Sequence, residues 1–292
     1  MIPWPADLVT DIARRKVVIV LGAGISRNAK ARDGARPKSW LQLLEEGAKQ
    51  IGVKPRRIVR RLLKERDFLT ACEIVKAELG KDSYETFLTK EFLEPEFEPA
   101  PVHSSIFKLD SRIVATPNID KIYETFANHK AKGTIKTKHF YDDDVANAIR
   151  RSNRMVLKIH GTIDSPGKMI FTRGEYAAAR VKHAEFYSLL DALLATNTFV
   201  FLGCGLSDPD IRLMLENYGF RFPNARRHFI TIAMDAVSQE EIRAIEDSMN
   251  LKILTYRTNN SKNRHKELLD SIAELQQKVD DERQELASSL DW

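Results

Sequence analysis

At 292 residues, with 30% charged side chains and a formal net charge of +5, the chain has the make-up of a globular α/β protein with a sizeable core. No apolar run approaches the ~18 residues of a membrane span, and the opening residues carry no signal pattern. Two cysteines, Cys72 and Cys204, exclude a disulfide framework and a four-cysteine zinc site, and imply a reducing, cytoplasmic setting without zinc.

The excess positive charge is concentrated in short runs: Arg14-Arg15-Lys16, residues 54–61, residues 130–138 and Arg226-Arg227. Such runs can meet phosphates. With no zinc-finger spacing or RNA-binding aromatic motif beside them, they are better explained as solvated helix faces. Contact with nucleic acid is expected to be weak and non-specific at most.

In chain order, the first predicted strand is Val17–Leu21, which runs straight into Gly22-Ala23-Gly24-Ile25-Ser26. Glycines there let the backbone turn tightly and approach a pyrophosphate. The third glycine of the dehydrogenase fingerprint is absent, and no acidic residue closes a second strand ~20 residues later. The alternative is a plain strand-to-helix turn. Helical periodicity follows over residues 41–51, 55–65, 68–79 and 84–92, before an acidic, proline-bearing stretch at 93–101. These segments predict a helical subdomain inserted at about 38–110.

The second strand, Ile113–Thr116, leads into Pro117-Asn118-Ile119-Asp120. Polar groups at the end of a parallel strand lie where α/β sheets bind ligands. An asparagine there can orient a water, and a carboxylate can hold an amide; capping of the following helix is the competing explanation. A third apolar run, 156–160, ends in His160-Gly161. A histidine so placed can act as a general base near neutral pH, although a lone histidine is more often structural. The run 199–202 enters Gly203-Cys204-Gly205-Leu206-Ser207-Asp208-Pro209-Asp210, where Ser207 or Asp208 caps a helix with Pro209 at its first position. Further runs at 229–233 and 253–256 alternate with helical patterns. Together they predict a Rossmann-like doubly wound parallel sheet of about six strands. The domain is expected to occupy residues 1–257, followed by a charged helical tail at 258–292, a surface helix or an oligomer contact.

Each of these signals is weak alone. In order and context, Gly22-Ala23-Gly24-Ile25-Ser26, Thr116-Pro117-Asn118-Ile119-Asp120, His160-Gly161 and Gly203-Cys204-Gly205 resemble the NAD⁺-binding domain of the sirtuin (silent information regulator) family. The stretch Phe171-Thr172-Arg173-Gly174-Glu175-Tyr176 and the turn at 206–210 look like the bacterial sirtuin-like branch of anti-phage defence. The resemblance covers about residues 15–257, the helical insertion matching only in position.

The resemblance implies a pyrophosphate loop at Gly22, Ala23, Gly24 and Ser26. It places Asn118 of the second motif beside the nicotinamide ribose, with Thr116 of the same motif as a further NAD⁺-binding residue, and Ile119 and Asp120 at the nicotinamide carboxamide. His160 is implied as the base at the ribose hydroxyls, with Gly203, Gly205 and Ser207 on the adenosine side. The family usually has glutamine where Pro117 stands, and serine where Gly205 stands. The missing zinc ribbon shifts the expected chemistry from deacylation toward hydrolysis of NAD⁺ to ADP-ribose and nicotinamide, with Asn118, Asp120 and His160 catalytic and no cofactor beyond NAD⁺ itself. A deacylase, an ADP-ribosyltransferase and a non-catalytic sensor of NAD⁺ or ADP-ribose are the alternatives. By the same resemblance the chain is expected to deplete NAD⁺ in abortive infection. It is expected to act as a homo-oligomer, with a HerA-type ATPase or an Argonaute-type protein as a possible companion.

Overall fold

A computed structural model describes residues 1–151, 153–206, 208–259 and 264–289. The chain runs α1 (Ala6–Ala13), β1 (Val17–Leu21), α2 (Ala23–Ser26), α3 (Trp40–Gln50), α4 (Val53–Lys64), α5 (Phe68–Leu79), α6 (Lys81–Phe92), α7 (Pro101–Lys108), β2 (Ile113–Thr116) and α8 (Ile122–Lys130). It continues with β3 (Lys136–His139), α9 (Val145–Arg150), β4 (Met155–Lys158), α10 (Arg173–Lys182), α11 (Ala184–Thr196) and β5 (Thr198–Leu202). Then follow α12 (Pro209–Arg221), β6 (His228–Ala233), α13 (Gln239–Met249), β7 (Leu251–Tyr256) and α14 (Lys266–Ser289).

The seven strands form one sheet in the order β3-β4-β2-β1-β5-β6-β7. Every pairing is parallel, with Val18 opposite both Ile113 and Phe199. β1 is central and wholly buried, which is why it is an unbroken aliphatic run. Its side chains alternate between two cores. Val17, Ile19 and Leu21 face a layer containing Leu8, Ile12, Ile106 and Tyr123, whereas Val18 and Val20 face Phe186, Leu190, Ile211 and Leu215. The sheet is thus covered on both faces, as a doubly wound fold requires.

Helices α3 to α6 build a third core from Leu43, Leu44, Val59, Leu63, Val75, Phe87 and Leu88. Ile119, Ile163 and Met169, from the loops after β2 and β4, belong to the same cluster. The helical layer is therefore seated on the ends of the strands that carry the predicted site. Ser39 caps α3 through a reciprocal box with Gln42, and Asp67 caps α5. Thr172 and Glu175 form a second box at the start of α10, and Glu175 also pairs with Lys76 of α5. That ion pair ties the layer to the sheet.

The architecture departs from the sequence expectation in three larger respects. A seventh strand, β3, lies at the sheet edge; its Lys-Thr-Lys-His sequence has no apolar pattern because no residue in it is fully buried. The helical excursion proper ends with α6, since Val102 and Ile106 of α7 pack in the sheet core with α1 and α14. Helix α14, after residue 257, is no loose appendage. Leu268, Ile272, Leu275, Val279 and Leu286 of α14 are buried in that core, Trp4 Nε1 donates to Ser271 O at 2.8 Å, and Arg283 Nη2 donates to Leu109 O at 2.7 Å. A split at 257 therefore does not follow the packing. No helix among the described residues is long and apolar enough to cross a membrane.

Because Ile272 of α14 is fully buried in the core it shares with α1 and α7, Ile272→Ala should cost about 2–5 kcal/mol of stability. Urea unfolding followed by circular dichroism measures this. A loss below about 0.5 kcal/mol would mean that α14 is dispensable to the core.

Candidate active site

The turn after β1 and the turn after β5 touch backbone to backbone. Gly22 N donates to Leu202 O at 3.0 Å, and Gly24 N donates to Gly203 O at 2.9 Å. A Cβ on Gly22 would stand 2.4 Å from Gly203 O, and one on Gly24 would stand 2.8 Å from the same atom. Gly203 has φ +63°, and a Cβ there would stand 2.7 Å from Ile25 N. These glycines are demanded by the contact between the two turns. The amides of Gly22 and Gly24 are spent on it, so they are not the phosphate donors that the sequence suggested. Gly22, Ala23 and Ser26 remain on the wall of the adjoining cavity, and Gly24 is not on it.

The loop after β2 is fixed from below. Thr116 Oγ1 donates to Leu21 O at 2.7 Å and accepts from Asn118 N at 3.0 Å, bridging β1 to the loop. Thr116 is buried off the cavity wall, so it supports the site and does not line it. Asn118 Nδ2 donates to Ser26 Oγ at 3.0 Å across the two turns. The first amide of α8 is met by Asp120, whose Oδ1 accepts from Ile122 N at 3.1 Å, and Asn118 is left facing the cavity. Beneath the loop, the fully buried Lys158 donates to Asp120 O and lies 2.7 Å from Glu124 Oε1. Burial raises the Glu124 carboxyl and Lys158 opposes that rise. Breaking such a buried pair typically costs about 3–5 kcal/mol.

His160 lies two residues beyond the end of β4, before Gly161 at φ +84°. Its ring is buried, edge-on to Tyr176 with centroids 5.1 Å apart. Nδ1 stands 3.4 Å from Asp208 Oδ2 and 3.4 Å from the Tyr176 hydroxyl; Nε2 stands 3.5 Å from Asp210 Oδ2 and makes no hydrogen bond. Burial pushes the imidazole toward the neutral form, but the carboxylates of Asp208 and Asp210 outweigh it, and the pKa is raised above the ordinary histidine value. Asp208 uses Oδ1 to cap α12, accepting from Asp210 N at 3.1 Å and Ile211 N at 3.0 Å, and accepts from the Tyr176 hydroxyl at 3.2 Å on Oδ2. Burial holds Tyr176 well above the usual phenol range, so it remains a donor.

These parts enclose a cavity of about 330 Å³, within the range of small-molecule sites. It opens at the strand ends where β1 lies between β2 and β5, the switch point of a doubly wound sheet. The polar wall holds Asn118, Asp120, His160 and Asp208; Trp40, Phe68 and Phe92 of the helical layer, with Phe171, supply an aromatic wall. Ile119, Gly203 and Gly205 also line it, while Ser207 lies outside the described residues. Sequence reasoning assigned no role to Tyr176 or the aromatic wall, and gave Asp208 only its cap. Tyr176 was signalled by the stretch 171–176, whereas the aromatic wall depends on how the helical layer docks. Cys204 is on the wall with its thiol pushed up by burial, and Cys72 is buried in the helical layer with its thiol pushed up to about 12. Neither is poised as a metal-binding thiolate. No group of three or more His, Cys, Asp or Glu gathers among the described residues in a way that could hold a metal ion.

An all-parallel doubly wound sheet with two glycine turns meeting at its switch point defines a ligand-binding α/β domain. Residues 112–254 match the family model of the SIR2-like domain. It is similar to an NAD(+) hydrolase ThsA of Acinetobacter baumannii (strain 532279), 29% identical over 133 residues, or 45% of this chain and 27% of that protein. It is also similar to defense-associated sirtuin 2 of Bacillus subtilis, 25% identical over 217 residues, covering 71% of this chain and 20% of that one. A Bacillus cereus (strain MSX-D12) NAD(+) hydrolase ThsA is 21% identical over 241 residues, 82% of this chain and 47% of that protein. The matches thus span less than half the length of each of these relatives.

Gly22→Ala tests the contact between the turns. With no room for a methyl group against the Gly203 carbonyl, it should lower stability by about 1–3 kcal/mol, read as a fall in Tm. An unchanged Tm would show that the turns can separate at no cost.

Proposed function

We propose that the chain hydrolyses the nicotinamide–ribose bond of NAD⁺, giving ADP-ribose and nicotinamide. The observation that carries this reading is the presence of Asn118, Asp120 and His160 on the wall of one buried-sided cavity at the sheet's switch point. Relatives named as NAD(+) hydrolases support it. Nicotinamide leaves as a neutral group from a cationic donor, and the transition state resembles an oxocarbenium ion. The protein need not supply a strong acid. Its task is to hold the dinucleotide, exclude bulk water and place one water molecule.

On this reading the Asn118 side chain, oriented by Ser26, positions the attacking water at the ribose. Asp120 spends Oδ1 on α8, and its other oxygen accepts from the nicotinamide carboxamide beside Ile119. His160 accepts a proton from the ribose hydroxyl or the water. The turns at 22–26 and 203–205 receive the pyrophosphate and adenosine portions, with Ala23, Ser26 and Gly205 as the wall contacts. The aromatic wall screens the reacting centre. No zinc takes part, and chelators should leave activity unchanged.

The same reading places the activity in the cytoplasm, where depletion of NAD⁺ during phage infection would arrest the host. An unrestrained enzyme of this kind would drain its own cell. We therefore infer control by self-assembly or by a separately encoded partner such as an ATPase or an Argonaute-type protein. Since α14 spends its apolar face on the domain, the exposed sides of α3 to α6 are the surface proposed for assembly.

Nicotinamide release from NAD⁺, followed by chromatography, tests the assignment. Asn118→Ala and His160→Ala should each lose most activity, about a hundredfold or more, and retain the wild-type far-ultraviolet spectrum. A folded Asn118→Ala protein with the wild-type rate would refute the assignment. The pH dependence has a defined sign. A base must be neutral, and the neighbouring carboxylates raise the His160 pKa. The rate should therefore fall on the acid side through a midpoint above the ordinary histidine value of about 6.5. A flat profile between about pH 5 and 8, with chemistry limiting, would make His160 structural.

A further inference from the structure

We propose that Asp210, fastened by Arg180 and Tyr187, is the positioning residue that orients His160 and stabilises its charged form. This rests on the reading of His160 as the base. Asp210 is not on the wall of the catalytic cavity and borders instead a second cavity of about 190 Å³, shared with Arg180 and Tyr187. It can act on the reaction only through His160. The Nε2 atom of His160 is buried without a hydrogen bond, and the Asp210 Oδ2 atom, 3.5 Å away, is the acceptor it faces. The tautomer with its proton on Nε2, with the slight rotation that shortens this contact, makes the missing bond and leaves Nδ1 to take up the second proton.

The carboxylate is held more firmly than an ion-pair partner needs to be. Arg180 reaches Oδ1 with Nε at 2.6 Å and Nη2 at 2.5 Å, and the Tyr187 hydroxyl donates to Oδ2 at 2.9 Å. Two donors of one guanidinium converge on Oδ1 while Tyr187 holds Oδ2, so both oxygens of the carboxylate are fixed in place. Asp210 follows Pro209 in the first turn of α12, where the helix N-terminus favours a negative charge. Its carboxyl stays below the usual range despite burial, through His160 and Arg180. A carboxylate so held remains ionised. It orients the ring and balances the imidazolium without taking the proton, the logic of the third member of a hydrolase triad. Asp208 acts from the other side of the ring: it caps α12, accepts from Tyr176 and stands 3.4 Å from Nδ1, which leaves Asp210 as the carboxylate that faces Nε2. The groups around the ring are Asp208 at the cap of α12 and Asp210 within it, Tyr176 and Arg180 from α10 and Tyr187 from α11, with Asp120 on the wall of the same cavity.

The test is an NMR titration of the His160 ring, assigned with His160→Gln, in the wild type and in Asp210→Asn, beside steady-state rates on NAD⁺. Asparagine keeps the shape and removes the charge. The His160 midpoint should fall by about one pH unit or more, kcat should fall about tenfold or more with KM unchanged, and the acid limb of the rate should move to lower pH with the titration. An unchanged His160 midpoint in folded Asp210→Asn would overturn the proposal, whatever the rates. A shifted midpoint in a protein that never cleaves NAD⁺ would leave the positioning intact and remove the hydrolase reading. Should Asp210→Asn not fold, Arg180→Met serves. Loss of the guanidinium should raise the His160 midpoint while kcat falls and KM holds, and an unchanged midpoint with unchanged kcat would equally overturn the proposal.

Discussion

The turn that leaves β1 and the turn that leaves β5 approach more closely than any side chain permits, and the geometry of the cavity depends on that approach. Gly22, Gly24 and Gly203 meet with backbone atoms where a Cβ would stand under 3 Å from its neighbour. The contact closes the floor of the crevice at the point where the strand order reverses. It also sets the direction of α2, and so brings Ser26 within 3.0 Å of the Asn118 amide. Thr116 passes the constraint to β2 through its bond to Leu21 O. A polar wall built from separate strand ends is thereby held rigidly enough for its groups to act on one ligand.

The opposite wall comes from a part of the chain that does not belong to the sheet. Helices α3 to α6 could not cover the crevice on the strength of their own core alone. They are docked by Ile119, Ile163 and Met169 inserting from the strand-end loops, and by the Lys76–Glu175 ion pair. Ile119 stands between Asn118 and Asp120, so the residue that anchors the aromatic layer lies inside the motif that carries the polar groups. Loosening of the layer would therefore disturb the polar wall directly. The buried Lys158–Glu124 pair beneath the same loop adds a charge interaction that the desolvated site cannot lose cheaply.

Much of this was legible in the sequence, for physical reasons that also mark the limits. The strands buried on both faces appear as aliphatic runs, and the site residues follow them directly. The alternation of strands and helices thus gave both the sheet and the candidate loops. β3 escaped notice because an edge strand with a Lys-Thr-Lys-His sequence lacks that pattern. The end of β4 was placed two residues late because Ile159 continues the apolar run after the pairing stops. The glycines were recognised, but for a reason that the packing revises: they admit a neighbouring turn, and the amides of Gly22 and Gly24 are already bonded. Asp208 was recognised as a helix cap, yet a carboxylate has two oxygens, and the one not used by the cap faces His160. The Arg180–Asp210 contact joins residues thirty positions apart on different helices. No local periodicity reports such a contact.

The central claim is that one cavity, floored by the glycine turns and roofed by the helical layer, receives the whole dinucleotide with its nicotinamide end at Asn118 and Asp120. A crystal structure of the His160→Ala protein soaked with NAD⁺ tests this most directly. The account predicts nicotinamide against Ile119 and Asp120, the adjoining ribose beside Asn118, and the pyrophosphate along Ala23, Ser26 and Gly205. NAD⁺ bound elsewhere, or bound in reverse with adenine at Asp120, would contradict it.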